Sequence, residues 1–327
     1  MTKGFIFESC FAPYIELLIS EKRQAGYLYE SAAYILKNFD SFCVQHEIKD
    51  AVITRELAWQ WGALRKTESR VYQASRISVV RQLALYMQAY GITCYVPRNF
   101  SCKSSSIAYV LNDQEIVAFF EQVDAYRPKI DVEVFNRLAI EYKILFRMIF
   151  CCGLRISEAR KLKVSKVDMD KGILTICQSK GENDRIVYMT DDLRILCIDY
   201  RDFLQTRSNI ISEWFFPARD PCKKLEVASI NLKFREFWEK TAYAKDSANH
   251  PTVHSLRHSY VVKRMNTWMT EGVSLDTMMP YLSKYLGHSS VNDTFYYYHQ
   301  VESTFRIIRE RDSSSSVVIP EVSDHEK

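Results

Sequence analysis

Apolar residues recur at helical spacing through the first third of the chain. The pattern is clear in SAAYILKNFDSFCVQ, residues 31–45, and in RISVVRQLALYMQAYG, residues 76–91. An apolar stripe of this period predicts an amphipathic helix, and Gly91, which follows the second stripe, is typical of a helix end. The apolar positions of the second stripe are Val79, Val80, Leu83, Leu85 and Met87. Residues 1–105 are therefore predicted to form a helical domain.

The helical pattern breaks in VPRNFSCKSSS, residues 96–106. This stretch contains a proline and a cluster of serines and has no apolar periodicity, which is typical of a linker. A second domain is expected to start near Tyr109. Its first helix follows Leu111, and either Asn112 or Asp113 is suited to cap it, since both side chains can accept a hydrogen bond from a free backbone amide.

The second domain is predicted to be helical with one small sheet. EYKILFRMIFCCG, residues 141–153, is apolar on almost every side, which predicts a central buried helix. KVDMDKGILTI, residues 166–176, and QSKGENDRIVYM, residues 178–189, carry turn residues beside short β-branched runs. These patterns predict a three-stranded antiparallel sheet, with Lys180 in the second turn. The predicted fold is therefore mainly helical with a small antiparallel sheet.

Composition limits the class of protein without identifying its partner. The chain has 327 residues and a net charge of only +4, so a nucleic-acid surface would depend on local clustering of basic residues. Its nine cysteines include no CxxC pair, which argues against a zinc module. We find no signal peptide and no apolar run of membrane-spanning length. The expectation is a soluble cytoplasmic protein with reduced thiols and a disordered tail at residues 312–327.

Three stretches of the second half contain residues suited to phosphodiester chemistry. CCGLRISEAR holds Arg155, HSLRHSY holds His254 and Arg257, and LGHSSVNDTFYYYH holds His288 and a run of tyrosines. Arginine forks fit phosphate oxygens two at a time. Histidine and lysine can transfer protons, and tyrosine can act as a covalent nucleophile. His254 and Arg257 are three residues apart, which places them on one face of a helix.

Four of these motifs, in this order, resemble the tyrosine recombinases of the phage integrase family, including the Xer recombinases. They are G-L-R-I-S-E at 153–158, H-S-L-R-H at 254–258, L-G-H-S at 286–289 and Y-x-H at 297–299. The resemblance covers about residues 110–305 through these motifs. It is weaker over the N-terminal third.

The resemblance implies a role for each candidate residue. Two arginines would hold the scissile phosphate, two histidines would bind it or move protons, and a lysine would protonate the departing 5′ oxygen. The implied catalytic residues are Arg155, Lys180, His254, Arg257, His288 and Tyr297. Glu158 would support Arg155, and His258 matches a position that is usually structural. Lys180, in an exposed turn beside a glycine, also fits the commonest kind of surface lysine, although the motif order favours the catalytic role.

Three tyrosines stand in a row, and the family's usual separation from the G-H-S motif selects Tyr297 as the nucleophile. His299 then falls two residues later, as the family pattern requires. Neighbouring residues on a helix point about 100° apart, so only one of the three can face the phosphate. Tyr296 and Tyr298 are interpreted as packing residues.

The implied function is a site-specific DNA recombinase or integrase that works through a 3′-phosphotyrosyl intermediate without metal or nucleotide. Double-stranded DNA, a homotetramer in the synaptic complex and accessory DNA-bending proteins are the implied partners. Residues 1–105 would be a core-binding (SAM-like) domain and residues 106–311 the catalytic domain. The basic residues Arg55, Arg65, Lys66, Arg70, Arg76 and Arg81 would then face DNA. Type IB topoisomerase-like cleavage and a non-catalytic DNA-binding relative remain the alternatives, with a helical scaffold a third.

Overall fold

The computed structural model describes residues 5–98, 100, 108–177, 184–206, 208–245, 250–288 and 290–295. Among these residues, no helix is both long enough and apolar enough to cross a lipid bilayer. The chain divides into two compact units, residues 1–106 and residues 107–327. The predicted tail at 312–327, Lys180 and Tyr297 lie outside the described residues.

The described part of the first unit is helical, as the apolar stripes predict. Its helices are α1 (Ala12–Gln24), α2 (Glu30–Gln45), α3 (Arg55–Gly62) and α4 (Arg70–Ala89). Phe11, Phe39 and Trp61 pack together in its core. Helix α4 starts six residues before the predicted stripe because the Ser69 hydroxyl caps it, accepting from the Tyr72 amide at 3.2 Å. Leu85, counted in that stripe, is exposed.

One basic residue of the first unit is not on a DNA-facing surface, contrary to the sequence interpretation. Arg76 is buried, pairs with both oxygens of Glu68 at 2.8 Å and donates to the carbonyl oxygens of Trp61 and Ala63. Its guanidinium closes the loop between α3 and α4. The cause is a long-range contact that the spacing of basic residues does not reveal.

The described part of the second unit combines α-helices with one small sheet. The helices are α5 (Asp113–Ala125), α6 (Glu133–Cys152), α7 (Ile156–Arg160), α8 (Asp191–Thr206), α9 (Val227–Trp238), α10 (Val253–Thr270), α11 (Leu275–Leu286) and α12 (Asn292–Phe295). The strands are β1 (Val167–Asp168), β2 (Ile173–Ile176) and β3 (Arg185–Tyr188). They pair in the order β1-β2-β3, and both pairings are antiparallel. The predicted fold class, mainly helical with a small antiparallel sheet, is confirmed.

Local sequence explains most of these elements. Asn112 caps α5, and a reciprocal bond from the Asn112 amide to Glu115 completes a capping box. The predicted central helix is α6, whose Leu145, Phe146 and Ile149 are fully buried. Strand β3 alternates as a half-buried strand does, with Val187 buried between exposed neighbours.

The ends of two helices border the candidate active site that is described below. Helix α6 ends at Gly153 and α11 ends at Gly287, both in the left-handed region at φ 62° and 66°, which glycine adopts without strain. Ser157, whose hydroxyl would suit a helix cap, does not cap the next helix. Arg155 is the residue that precedes α7, and Ser157 lies inside that helix.

Candidate active site

The site is built where α7, α10 and the end of α11 meet. Helix α10 begins with a capping box, in which the Thr252 amide donates to Ser255 Oγ at 3.0 Å. From its first turns α10 presents Arg257, which is almost fully buried. Arg257 Nη1 donates to the carbonyl oxygen of Gly153 at 2.7 Å, and Nη2 donates to that of Leu286 at 2.8 Å. One guanidinium therefore links the ends of α6 and α11.

Arg155 approaches the same place from the turn between α6 and α7. Its Nη1 donates to Glu158 Oε1 at 2.9 Å and its Nη2 to the carbonyl oxygen of Gly287 at 2.8 Å. Its side chain is 20% exposed, in contrast to 2% for Arg257, so the Arg155 guanidinium can reach a ligand in solvent. The two arginines that the sequence selected are thus brought together by the fold.

Glu158 lies at the centre of these cations. Its Oε2 accepts from the Arg155 backbone amide at 2.8 Å and is 3.7 Å from Arg257 Nη1. Burial alone would raise the pKa of Glu158. The hydrogen bond from Arg185, with the charges of Arg185 and Arg257, outweighs burial and lowers that pKa below its ordinary value. Glu158 is therefore a carboxylate at neutral pH.

Arg185, at the start of β3, belongs to the same cluster and was missed in the sequence. Its Nη1 and Nη2 donate to the two oxygens of Glu158 at 2.9 and 2.8 Å, and its Nε donates to the carbonyl oxygen of Tyr285 at 2.6 Å. Its partner Glu158 lies 27 residues earlier in the chain. No local periodicity connects the two, and the only available signal was a lone arginine at the start of a strand.

His288 follows the end of α11 and is oriented by contacts on both ring nitrogens. Its Nε2 is 2.9 Å from Arg257 Nη2, and its Nδ1 is 2.6 Å from Thr294 Oγ1. Since a guanidinium only donates, Nε2 must accept, and a neutral ring then carries its proton on Nδ1 and donates it to Thr294. Thr294, which is fully buried in α12, was also missed in the sequence.

His254 and His258 lie next to each other on α10, with ring centroids 4.3 Å apart. Burial is the largest cause of lowered pKa values at all three histidines. It lowers the pKa of His258 to about 3 and that of His288 to about 4, with Arg257 contributing to both. The pKa of His254 is lowered first by desolvation among the packed groups of the site and then by the charges of Arg257 and Arg155, although part of its side chain is exposed to solvent. All three imidazoles are therefore neutral at pH 7.

The cluster carries an excess of positive charge. Three guanidiniums, those of Arg155, Arg185 and Arg257, face one carboxylate, that of Glu158, which leaves two positive charges. Neutral imidazoles add hydrogen-bonding atoms without adding charge. In the described ranges, no three His, Cys, Asp or Glu side chains lie close enough to share a metal ion. The arrangement is suited to binding an anion with several oxygens.

The family model and the similar proteins agree on one family. A model of the phage integrase family matches residues 110–303. The Sinorhizobium fredii protein y4rB, named provisionally as an integrase/recombinase, is 25% identical over 302 residues, which are 88% of this chain and 92% of that protein.

Two solved structures share the fold. The Tn1549 transposon integrase in complex with transposon right end DNA has a TM-score of 0.63 at 14% identity, over 91% of this chain and 98% of that one. The XerH site-specific recombinase in its post-cleavage complex with palindromic difH has a TM-score of 0.61 at 18% identity, over 92% and 83%.

Proposed function

Because the chain belongs to the phage integrase family of tyrosine recombinases, we propose that it is a site-specific DNA recombinase that cuts and rejoins DNA through a 3′-phosphotyrosyl intermediate. The observation that carries this proposal is the convergence of Arg155, from the turn before α7, and Arg257, from α10, at the end of α11. Beside them lie His254 and His288, and the guanidinium charge exceeds that of Glu158.

Arg155 and Arg257 would hold the two non-bridging oxygens of the scissile phosphate. Guanidinium forks match such oxygens in geometry, and they stabilise the extra charge of the pentavalent transition state. His288 would help to hold Arg257 at that phosphate, because its Nε2 accepts from Arg257 and its Nδ1 is held by Thr294. Glu158 would keep the cations together until the phosphate arrives.

The chemical step would use two residues outside the described part of the chain. The hydroxyl oxygen of Tyr297 attacks phosphorus while the bond between phosphorus and the 5′ oxygen breaks. The phenol proton passes to the neutral imidazole of His254, and the departing 5′ oxygen takes a proton from Lys180. The products are a 3′-phosphotyrosyl bond and a free 5′-hydroxyl. Attack by the 5′-hydroxyl of a partner strand reverses both transfers and rejoins the DNA.

Double-stranded DNA is the proposed partner, and four copies of the chain would be needed to exchange strands between two DNA sites. Residues 1–105 would bind DNA, and residues 106–311 would carry the chemistry. Exposed Arg55, which lies over the exposed Trp59 ring at 5.5 Å, is a candidate contact of the first unit. The proposed recombinase acts inside the cell, where its DNA substrate is.

The test is the formation of a covalent adduct on nicked DNA. Short duplexes that tile the DNA flanking the gene would each carry a nick, so that the short fragment bearing the new 5′-hydroxyl dissociates after cleavage. The wild-type protein is expected to form a detergent-resistant adduct on one of these duplexes. Tyr297→Phe should bind the same duplex and form none, because only the attacking oxygen is lost. Tyr296→Phe and Tyr298→Phe are matched controls that should keep the adduct.

Each other outcome has a definite meaning. An adduct formed by Tyr297→Phe but lost in Tyr296→Phe or Tyr298→Phe would show that another tyrosine is the nucleophile. Binding without an adduct on any duplex would establish a non-catalytic DNA-binding relative. Relaxation of supercoiled plasmid without joining of partner strands would establish topoisomerase-like activity instead of recombination.

A further inference from the structure

Arg155, Arg185 and Arg257 all bind the same helix end, in addition to any contact with a phosphate. Each donates to one of three consecutive carbonyl oxygens at the end of α11. Arg185 Nε reaches Tyr285 at 2.6 Å, Arg257 Nη2 reaches Leu286 at 2.8 Å and Arg155 Nη2 reaches Gly287 at 2.8 Å. These carbonyls belong to the last turn of the helix, where the helix dipole is negative and cations are favoured.

The same three arginines also surround one carboxylate. Arg185 takes both oxygens of Glu158, whereas Arg155 takes one with its side chain and Arg257 approaches at 3.7 Å. The pairing of Arg185 with Glu158 is thus the only two-pronged one among these contacts. It is also well buried, with 8% and 4% of the two side chains exposed.

We propose that Arg185 is a positioning residue of this site. It fixes Glu158 and the end of α11, and through them it sets where the guanidiniums of Arg155 and Arg257 lie. This inference rests on the proposed function and names a further residue of the same site. Its Nε and one hydrogen of each Nη donate to Tyr285 or Glu158, and its side chain is 8% exposed against 20% for Arg155, so Arg155 is the better placed of the two to reach a phosphate.

The geometry around Gly287 supports this division of labour. A Cβ atom on Gly287 would lie 3.0 Å from Arg185 Nη1 and 3.4 Å from Arg155 Nη1, so both guanidiniums pack directly against this glycine. Movement of Arg185 would therefore displace the surface on which Arg155 rests. Arg155 is the more exposed of the two and is free to turn towards a ligand.

A lysine at position 185 cannot reproduce these contacts. Its single nitrogen can satisfy one oxygen of Glu158 or the Tyr285 carbonyl, but it lacks the planar fork that serves all three. Glu158 would then turn towards Arg155 and Arg257 and hold them away from the phosphate. Misplacement of a catalytic group by about 1 Å can cost roughly 10²-fold in rate.

The chain offers a matched control in Arg137. This arginine of α6 is fully buried, forms an ion pair with Glu141 and donates to the carbonyl oxygens of Pro217 and Ala218 at 3.1 and 2.7 Å. None of these four residues is among the contacts of the site. Arg185→Lys and Arg137→Lys therefore remove the same kind of buried fork, one inside the site and one outside it.

The experiment compares these two variants in single-turnover adduct formation on the nicked duplex, with DNA in excess. Both should unfold at lower temperature than the wild type. Only Arg185→Lys should lower the rate constant at saturating DNA, by about 10²-fold. The DNA concentration that gives half the maximal rate should stay unchanged, because a positioning role involves no contact between Arg185 and DNA.

A double-mutant cycle with Glu158→Gln separates positioning from general damage. If Arg185 acts through Glu158, the double variant should be about as slow as Glu158→Gln alone. Arg137→Lys should instead combine with Glu158→Gln multiplicatively, as independent sites do. Equal rates for Arg185→Lys and Arg137→Lys, or a multiplicative effect of Arg185→Lys, would overturn the inference.

A second readout does not need DNA cleavage. Inorganic phosphate titrated into the DNA-free protein should bind about tenfold more weakly to Arg185→Lys than to Arg137→Lys or the wild type, because the guanidiniums of Arg155 and Arg257 are misplaced. If the wild type forms no adduct but this difference is seen, the proposed function fails and the positioning role stands. If the adduct forms and both readouts leave the two variants equal, the positioning role fails alone.

Discussion

Gly153, at the end of α6, provides the sharpest test of how the site is held together. Its φ of 62° is favourable only for glycine. Its carbonyl accepts from Arg257 at 2.7 Å. A Cβ atom placed there would lie 2.6 and 2.8 Å from two ring carbons of Tyr260 and 3.0 Å from Leu286 Cδ2. Tyr260 is on α10, three residues after Arg257, and its ring stacks on that of Tyr285 with the centroids 6.2 Å apart, so an added Cβ would press on a packed ring of the helix that carries Arg257.

Gly153→Ala lowers the free energy of unfolding in two ways, through backbone strain and through overpacking. The same substitution at Gly272 measures the backbone strain alone. Gly272, after α10, has φ 79° and nothing within 4 Å of an added Cβ. Gly272→Ala therefore pays only the left-handed backbone cost of roughly 1–2 kcal/mol. Gly153→Ala adds an overpacking cost of roughly 1–3 kcal/mol. The expected losses in the free energy of unfolding are thus about 1–2 kcal/mol for Gly272→Ala and, summing both parts, about 2–5 kcal/mol for Gly153→Ala.

Differential scanning calorimetry of the full chain measures these losses as shifts in Tm. For a unit of this size, 1 kcal/mol corresponds to roughly 2–4 °C. With about 3 °C per kcal/mol, Gly272→Ala should melt about 3–6 °C below the wild type, and Gly153→Ala about 6–15 °C below it. At a temperature where both variants are folded, Gly272→Ala should keep adduct formation and Gly153→Ala should lose most of it.

The comparison can refute the reasoning in two ways. Equal Tm losses in the two variants would mean that the Tyr260 ring yields without cost and that the close contact carries no energy. A large Tm loss in Gly153→Ala with unchanged adduct formation would mean that the end of α6 does not position Arg257. Either result would disconnect Gly153 from the site.

Three further outcomes are expected. Arg257→Lys should slow adduct formation on nicked DNA by about 10²–10³-fold, since an ammonium cannot replace the fork, and a near-normal rate would remove Arg257 from the site. His258, with its pKa lowered to about 3 by burial and then by His254, stays neutral when folded but binds a proton near pH 6.5 when unfolded. The stability that the neutral ring contributes is therefore complete above pH 6.5 and is lost as the pH falls below that value. The wild type should lose about 2 kcal/mol of its free energy of unfolding through His258 by pH 5. In urea unfolding, His258→Asn should therefore lose less stability than the wild type between pH 7.5 and 5, and an equal loss would contradict the lowered pKa. Lys180→Ala should be slowed by about 10²–10⁴-fold on ordinary DNA and largely rescued by sulfur at the bridging 5′ position, which leaves as a thiolate; equal impairment on both substrates would limit Lys180 to DNA binding.

The elements that were correctly predicted are those whose signal is local. Helix α6 was visible because its buried residues follow one another on every face. The sheet was visible because turn residues alternate with short β-branched runs, and its third strand runs from Arg185 to Tyr188. Gly153 and Gly287 end their helices because glycine suits the left-handed conformation that such ends require.

The parts of the site and of its surroundings that were missed depend on contacts between residues that are not neighbours in the sequence. Arg76 resembles its basic neighbours in sequence, yet Glu68 and two carbonyl oxygens bury it. Arg185 acquires its place in the site only when β3 is brought beside α11, which no spacing along the chain encodes.

The positive charge of the site adds to burial in keeping its histidines neutral, and it explains why its arginines need carbonyl partners. Three guanidiniums in one small volume repel one another, and Glu158 offsets only one of them. The negative end of α11 offers three further acceptors, so the folded protein stabilises the cluster before any DNA arrives. A protonated His288 would add to the same repulsion, and it would lose the lone pair that accepts from Arg257. The carbonyl bonds therefore follow from the concentration of positive charge that a phosphodiester would neutralise, and the same charge adds to burial in keeping the imidazole of His288 neutral.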